Sequence, residues 1–429
     1  MKLLSYIKYP ILLIITSFFF FPFEFVFLQG INTKMVLAAM GLVWFIVQIA
    51  MERKASIDKD FFISVIFASL VSIAGFVSVV YNATTDLTYA SYIVSFFVWM
   101  GGAFFVVSSI ALLHGRVTPL YVINYLIATC VAQCIIALLI DGIPNVKGFV
   151  DSFLAGTGFM GKMENRLYGI GCALDVAGQK FSCVLVAIPF VVLNRKQVSK
   201  LQVMAYWTSY MIVAVAGNMI ARTTTVGLVL SLLYICSFCV LPCFRSMQRN
   251  KRILQLLSII VIALPIILYS FNHNINTNKN LRFAFEGFFS LVETGKWETH
   301  SNNRLAEMLI IPDNVKTWVI GDGYFNNPNA DPNFIGDNPT EYYKGTDIGY
   351  LRFIFYFGIV GLLLFALFFY VAFFLCSRRH PNYAILFLML LTINYAVWVK
   401  VSSDIFLIFA LFLCVPYGSE EDVEHNVIE

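Results

Sequence analysis

The sequence predicts an all-α polytopic membrane protein of about 12 transmembrane helices, and three observations carry that prediction. Of 429 residues, 59% are hydrophobic and only 13% charged, against about 25% charged in soluble domains. Mean hydropathy is +0.78, more apolar surface than a compact soluble protein of this length can bury. Apolar runs of spanning length recur along the chain, and lysines and arginines collect in alternate loops between them.

A span needs about 20 apolar residues at about 1.5 Å rise each. The amino-terminal "MKLLSYIKYPILLIITSFFFFPFEFVFLQG" carries two lysines before an apolar run too long for a signal h-region, with no small-residue cleavage site after it. It reads as a retained first span at about 9–29. Further spans are expected at about 32–50, 61–80, 90–113, 118–140, 171–193, 201–221, 224–244, 253–271, 348–376, 382–399 and 402–417. Loops holding Arg53, Lys54 and Lys59, then Arg116, then Arg195, Lys196 and Lys200, then Arg245, Arg249, Lys251 and Arg252, then Arg378 and Arg379, alternate with loops almost free of cations. The positive-inside rule then makes both termini cytoplasmic. Two extracytoplasmic loops are expected, at 141–170 and at 272–346; the second holds "NNRLAEMLII", a candidate short surface helix. Residues 1–429 form one integral membrane domain in this reading, ending in an acidic cytoplasmic tail at 418–429. The nine cysteines lie mostly in apolar runs and read as small packing residues; Cys236-x-x-Cys239 has no second pair to complete a zinc site.

Charges inside the apolar stretches single out candidate functional residues. Arg222, in "GNMIARTTTVGLVL", is the only charged residue between Lys200 and Arg245. Lys200 to Arg222 is about one bilayer crossing at about 1.5 Å per residue, so Arg222 sits at the apex of a helical hairpin. Such an arginine is either an interfacial anchor or part of a site. In the sixth span the uncharged part is too short to cross, so the helix must include Lys180 and Asp175, which either pair with each other or face a cavity. Arg166 precedes that helix. The tenth span opens with Lys344, Asp347, Tyr350 and Arg352, where Asp347 is a helix N-cap, a functional carboxylate, or both.

Arg166, Arg222, Arg304, Arg352, Asp175, Lys180 and Asp347 are thus all expected at one level, on the outer side. No His, Cys or carboxylate cluster has metal-ligand spacing and no nucleotide-binding loop is present, so the expected site uses no metal and no cofactor; "GDGY" (321–324) is too short for a phosphate loop. Arginine keeps its charge and binds phosphate bidentately, which suits a lipid-tailed substrate with a phosphate or diphosphate head.

Three segments resemble the O-antigen and capsular polysaccharide polymerase family, relatives of the O-antigen ligases: "ENRLYGIG" to "DVAGQKFS" (164–182), "GNMIARTTTVGLVL", and "NNRLAEMLIIPDNVKTWVIGDGYF" followed by "GTDIGYLRFIFYFGIVGLLLF". Related ligases carry a His-Asn pair where this chain has Asp347-Ile348, which favours polymerase over ligase. The resemblance implies a GT-C-like glycosyltransferase in the bacterial cytoplasmic membrane. Its substrate is an undecaprenyl-diphosphate-linked oligosaccharide repeat unit; its partners are membrane lipids, a chain-length regulator and a flippase of the same pathway, with no nucleic acid. Arg222, Arg166 and Arg304 are then expected to hold the diphosphate, and Asp347 to accept the acceptor's proton, with Asp175 or Glu341 in reserve. Lys180, Lys344, Tyr350 and Arg352 complete the expected substrate-binding set. Trp297, Trp318, Tyr324, Tyr342 and Tyr343 read either as sugar-stacking platforms or as an interfacial belt. Rival readings are a twelve-span secondary transporter, a flippase of lipid-linked oligosaccharide, and a non-catalytic assembly partner.

Overall fold

A computed structural model describes residues 2–52, 58–155, 166–195, 197–240, 247–330 and 342–419. In chain order its elements are α1 (Lys2–Phe20), β1 (Glu24–Phe25), β2 (Leu28–Asn32), α2 (Thr33–Glu52), α3 (Lys59–Tyr81), α4 (Tyr92–His114), α5 (Pro119–Gly142) and α6 (Pro144–Phe153). There follow α7 (Leu174–Asn194), α8 (Lys200–Ile220), α9 (Thr224–Val240), α10 (Met247–His273), α11 (Ile275–Ala284), α12 (Glu286–Thr294), α13 (His300–Glu307) and α14 (Val315–Val319). The last are α15 (Gly349–Arg379), α16 (Ala384–Val397) and α17 (Phe406–Cys414). Among the described residues, 8 helices are long and apolar enough to cross a membrane: α2, α3, α4, α5, α7, α8, α10 and α15. The chain is an all-α, multi-pass membrane protein.

Three stretches depart from the expected spans for identifiable reasons. The first helix stops at Phe20 rather than near 29, because Pro22 has no N–H and biases Phe21 away from helical geometry. The chain turns there into the antiparallel β1–β2 hairpin, which pairs Glu24 with Asn32. α15 is broken inside the membrane stretch, with Phe357 at φ −132° and Gly358 at φ 68°. Finally, the helices within 382–399 and 402–417, α16 and α17, are shorter than the expected spans. Between them the chain is non-helical, held by Ile405 N–H donating to Asn394 Oδ1 (3.2 Å) and Trp398 Nε1–H donating to Ser403 O (2.7 Å).

The described residues fall into two compact units: those within 1–37 and 106–297, with Ser419, in the first, and those within 38–105 and 298–418 in the second. In the first, α7 is the central helix, buried from Ala177 to Leu193 and packed by α5, α8 and α9. Such all-round burial suits a helix whose apolar residues form no stripe. Its last carbonyls are capped by cations: Arg252 Nη1 donates to Val192 O and Arg195 O (2.6 Å each), and Arg249 Nε to Leu193 O (3.0 Å). Positive charge belongs at that end of a helix dipole.

In the second unit α15 packs on α3 around a dense aromatic core centred on Tyr89, whose ring meets those of Phe325, Phe353, Tyr356, Phe357 and Phe365. Ion pairs Arg378–Asp60 and Arg379–Asp58 tie the far end of α15 to the start of α3.

Candidate functional site

The first unit builds its site where α8 turns into α9. That turn lies directly on α7, and glycines make the approach possible. A Cβ at Gly227 would stand 2.2 Å from Ser182 Cα, and one at Gly178 would stand 2.9 Å from Ala221 Cβ. Ser182 Oγ donates to Thr223 O (2.9 Å) and accepts the Gly227 N–H (3.1 Å), pinning the apex. The threonines each satisfy a local group. Thr224 Oγ1 donates to Gly217 O (3.0 Å), Thr225 Oγ1 to Asn218 Oδ1 (2.7 Å), and the Thr223 hydroxyl to the Asp175 carboxylate. Asp175, in the first turn of α7, also sits where a helix dipole favours negative charge.

Arg222 projects from this apex and is largely buried, its side chain 14% exposed. It forms an ion pair with Glu286, the first residue of α12. Its guanidinium lies 4.5 Å from the centroid of the Phe283 ring, and that of Arg166 lies 4.6 Å from the same centroid. Arg166 is held there because the adjacent Leu167 N–H donates to Met219 O near the end of α8 (3.1 Å). Arg222 Nε is buried and lacks a hydrogen-bond partner among the described residues. Burial lowers the pKa of Arg222, the Arg166 cation pushes the same way, and Asp175 opposes both. An arginine tolerates this without losing its proton, so two cations lie beside one aromatic ring.

The segment from Arg166 to α7 is fixed from below. Gln133 brackets Ile170, its Nε2 donating to Ile170 O (2.9 Å) and its Oε1 accepting from Ile170 N (3.0 Å). Gly171 has φ +65°, and a Cβ there would stand 2.4 Å from Phe21 O. Leu174 takes φ +56° immediately before Asp175, a conformation costly for a branched residue.

Lys180 does not join this set. It lies about 200° around α7 from Gly178 at about 100° per residue, and its buried ammonium is 5.1 Å from the Phe21 ring and 5.6 Å from the Phe20 ring. The expectation that it faces the same cavity as Arg222 gives way to a cation–aromatic contact with the end of α1.

The second unit gathers a different set. Arg352 is buried at the start of α15, its guanidinium 3.8 Å from the Phe325 ring centroid and 4.4 Å from that of Tyr342. Its Nη2 donates to Phe325 O (3.1 Å) and Asn326 Oδ1 (3.0 Å), and its Nη1 lies 3.6 Å from Asp347 Oδ1. Ile348, not Asp347, is the N-cap of α15, so Asp347 is placed as the counter-ion of Arg352 rather than as a cap. Tyr350 turns to α16, its hydroxyl donating to Tyr395 O (2.9 Å). Lys344 is exposed with φ +55°, beside the Tyr343 ring. Arg304 is exposed on α13, a helix with no buried residue. Glu341 lies outside the described residues.

The Gly-Asp-Gly turn at 321–323 proves to be a wedge in the broken helix. Asp322 N–H donates to Phe355 O (2.6 Å), Gly323 N–H to Tyr356 O (3.1 Å), and Ser78 Oγ also to Tyr356 O (2.6 Å). These bonds satisfy carbonyls that the break releases, which an apolar surrounding requires. The Asp322 carboxylate accepts from Lys316 Nζ and Thr317 Oγ1 (2.6 Å each) and from Tyr343 OH (3.2 Å). Burial raises the Tyr343 pKa and Asp322 adds to the shift, so the phenol remains a donor. Of the expected sugar platforms, Tyr343 is committed here, Tyr342 to Arg352, and Trp318 to Pro312 O through its Nε1–H (3.0 Å). Trp297, half-exposed, lies against Gly287 of α12.

Phe283 and Glu286 are absent from the set read off the sequence, although a signal existed. No Asp or Glu falls between Asp175 and Glu286, so Glu286 is the next carboxylate available to Arg222 along the chain. Among the described residues, no group of His, Cys, Asp and Glu side chains has the geometry to hold a metal ion. Comparison with family models, curated proteins and solved structures finds no match to this chain.

Proposed function

We propose that the protein is a polysaccharide polymerase. It moves a growing glycan from its undecaprenyl diphosphate to a hydroxyl on the next lipid-linked repeat unit, at the outer face of the cytoplasmic membrane. The observation that carries this reading is the pair Arg166 and Arg222 over the single ring of Phe283. The two cations act on each other, the Arg166 charge pushing the Arg222 pKa down, and a diphosphate offers one phosphoryl group to each.

As the bond from sugar to diphosphate stretches, negative charge grows on the leaving group and the sugar gains oxocarbenium character. Fixed guanidiniums stabilise that charge without reorganising. The bond energy is already in the sugar–diphosphate linkage, so no nucleotide is consumed. Asp175 is bonded to Thr223 beside Arg222. Asp347 is the carboxylate assigned to the acceptor's proton, with Arg352 as its counter-ion. Arg304 is assigned to the lipid-linked head, on the exposed α13. In this reading the apolar helices cross about twelve times, with both termini cytoplasmic.

The test is reconstitution in vesicles with purified lipid-linked repeat units. A ladder of glycan lengths is expected from the native chain, none from Arg222→Ala, and little from Arg222→Lys, because an ammonium lacks the planar fork. Movement of the lipid-linked unit across the bilayer without any ladder would instead make the protein a flippase. A reporter fused at Asn303 should read extracytoplasmic; a cytoplasmic reading overturns the orientation.

A further inference from the structure

We infer that Glu286 is a displaceable stand-in for the substrate's diphosphate at Arg222, and that it thereby selects diphosphates over singly phosphorylated ligands. The inference rests on the reading of Arg166 and Arg222 as the diphosphate cradle.

The asymmetry of the ion pair is the first support. The Arg222 side chain is 14% exposed and that of Glu286 34%, so the cation is the fixed, inner partner and the carboxylate the outer one. Second, the helix carrying Glu286 buries little, its ties being the Phe289 ring stacked on Phe271, Phe288 against Trp297, and the exposed Glu293–Arg282 ion pair. Gly287 is the only buried residue of α12, while Phe288, Leu291 and Val292 are exposed. Its N-cap, Phe285, provides no side-chain cap bond. Segments with few buried contacts open locally at low cost. Third, the charges are uneven. Arg166 forms no ion pair among the described residues, and Arg222 keeps an unpartnered Nε. Glu286 pairs with Arg222, whereas a diphosphate has oxygens for both guanidiniums. An incoming diphosphate gains what Glu286 cannot supply. A monophosphate reaches only one arginine and must compete with Glu286 on nearly equal terms.

The exchange involves no covalent step. The carboxylate leaves Arg222, α12 moves with it, and the phosphoryl oxygens occupy the freed donors. Glu286 is accordingly a specificity-determining residue of the same site. Its exposed neighbours Phe288, Leu291 and Val292 give α12 an apolar face on which it can rest against lipid when displaced.

The experiment uses the full chain in lipid nanodiscs, with calorimetric titration of inorganic pyrophosphate, inorganic phosphate and farnesyl diphosphate. Glu286→Gln keeps the side chain's size and removes its charge. It is expected to tighten pyrophosphate about tenfold, the equivalent of ~1.4 kcal/mol, and phosphate by at least as much, so that the preference for pyrophosphate shrinks. Glu286→Asp, with a retracted carboxylate, should fall between. Arg166→Ala should abolish the preference for pyrophosphate over phosphate. If farnesyl diphosphate gains as much as pyrophosphate, the site reads the shared diphosphate; if both gain and farnesyl diphosphate gains more, the lipid tail adds to recognition. Unchanged or weaker pyrophosphate binding in both Glu286 variants, each folded as judged by an unaltered melting profile, overturns the inference. A native chain that makes no glycan ladder yet shows the Glu286→Gln gain would sink the polymerase reading and leave the anion exchange standing. A ladder without that gain would do the reverse.

Discussion

Substituting Gly227 by alanine tests how closely the arginine apex depends on packing against α7. The added Cβ would stand 2.2 Å from Ser182 Cα and 2.4 Å from Ser182 O, both backbone atoms that cannot rotate away. Carbon–carbon contacts settle near about 3.5 Å, so α9 must retreat from α7 by about 1.3 Å. That retreat overpacks or empties the interface at about 1–3 kcal/mol. It also stretches the 3.1 Å Gly227 N–H to Ser182 Oγ bond and the 2.9 Å Ser182 Oγ–H to Thr223 O bond, at about 1 kcal/mol each. The combined loss is about 3–5 kcal/mol, against which alanine's helix propensity returns at most about 1 kcal/mol. Gly148→Ala, in α6, is the matched control, since a Cβ there meets nothing within 4 Å. Thermal unfolding in detergent at one scan rate should show Gly227→Ala lowered by roughly 3–5 °C, with Gly148→Ala unchanged or slightly raised. Equal melting of Gly227→Ala and the native chain would refute the argument that this glycine exists for close approach.

Further perturbations probe the second unit. Asp322→Ala removes the acceptor shared by Lys316, Thr317 and Tyr343 and should destabilise the chain by about 2–4 kcal/mol; Asp322→Asn, which keeps one acceptor oxygen, should cost about half as much. Equal melting temperatures for the two variants would mean the carboxylate is not what holds the wedge. His380, buried beside the end of α15, has its pKa lowered to about 4 by burial, with Arg379 adding to the shift and a bond to Phe412 O opposing it. Its folded pKa lies below the unfolded value near about 6.5, so the unfolded state takes up the proton first. Stability is therefore full above that value and falls as pH drops from about 6.5 towards 4, by up to about 3 kcal/mol. In His380→Gln this acid limb should flatten in a melting-versus-pH series; an unchanged limb would assign the acid sensitivity elsewhere.

What could be read from the sequence depended on how far apart the interacting residues lie. Helix positions were legible because they follow from local run length, and Asp175 fell inside α7 because thirteen uncharged residues cannot cross a bilayer alone. The direction of Lys180 was also present in the sequence. Five residues place it about 140° from Asp175 on a helix, too far round for both to face one cavity, and the structure sends it to Phe20 and Phe21. The break in α15 was not legible. Gly358 lies in an apolar run like any other helix glycine, and only the docking of residues 319–323 requires its φ of +68°; a Cβ there would stand 2.1 Å from Val319 O. Asp347 illustrates the same limit. Its position before a helix suited a cap, but Arg352, one turn on, offered a charged partner that sequence spacing alone ranks no higher.

The pairing of Arg222 with Glu286 follows from scarcity as much as from geometry. A cation at the edge of an apolar bundle is costly until an anion reaches it. The stretch from α7 through α11 offers no carboxylate between Asp175 and Glu286. Asp175 is bonded to Thr223, so the nearest group that completes an ion pair with Arg222 arrives on a lightly packed helix 64 residues downstream. A structural pair designed only for stability would be better served by an acid on α7, α8 or α9, where rigid packing would hold it. Supplying the acid instead from α12, where Phe288, Leu291 and Val292 are exposed, is what the proposed exchange requires: Arg222 neutralised at rest and accessible once α12 moves. Under the proposed anion exchange, control of access then lies at residues 285–297 rather than in the helices that carry the cations.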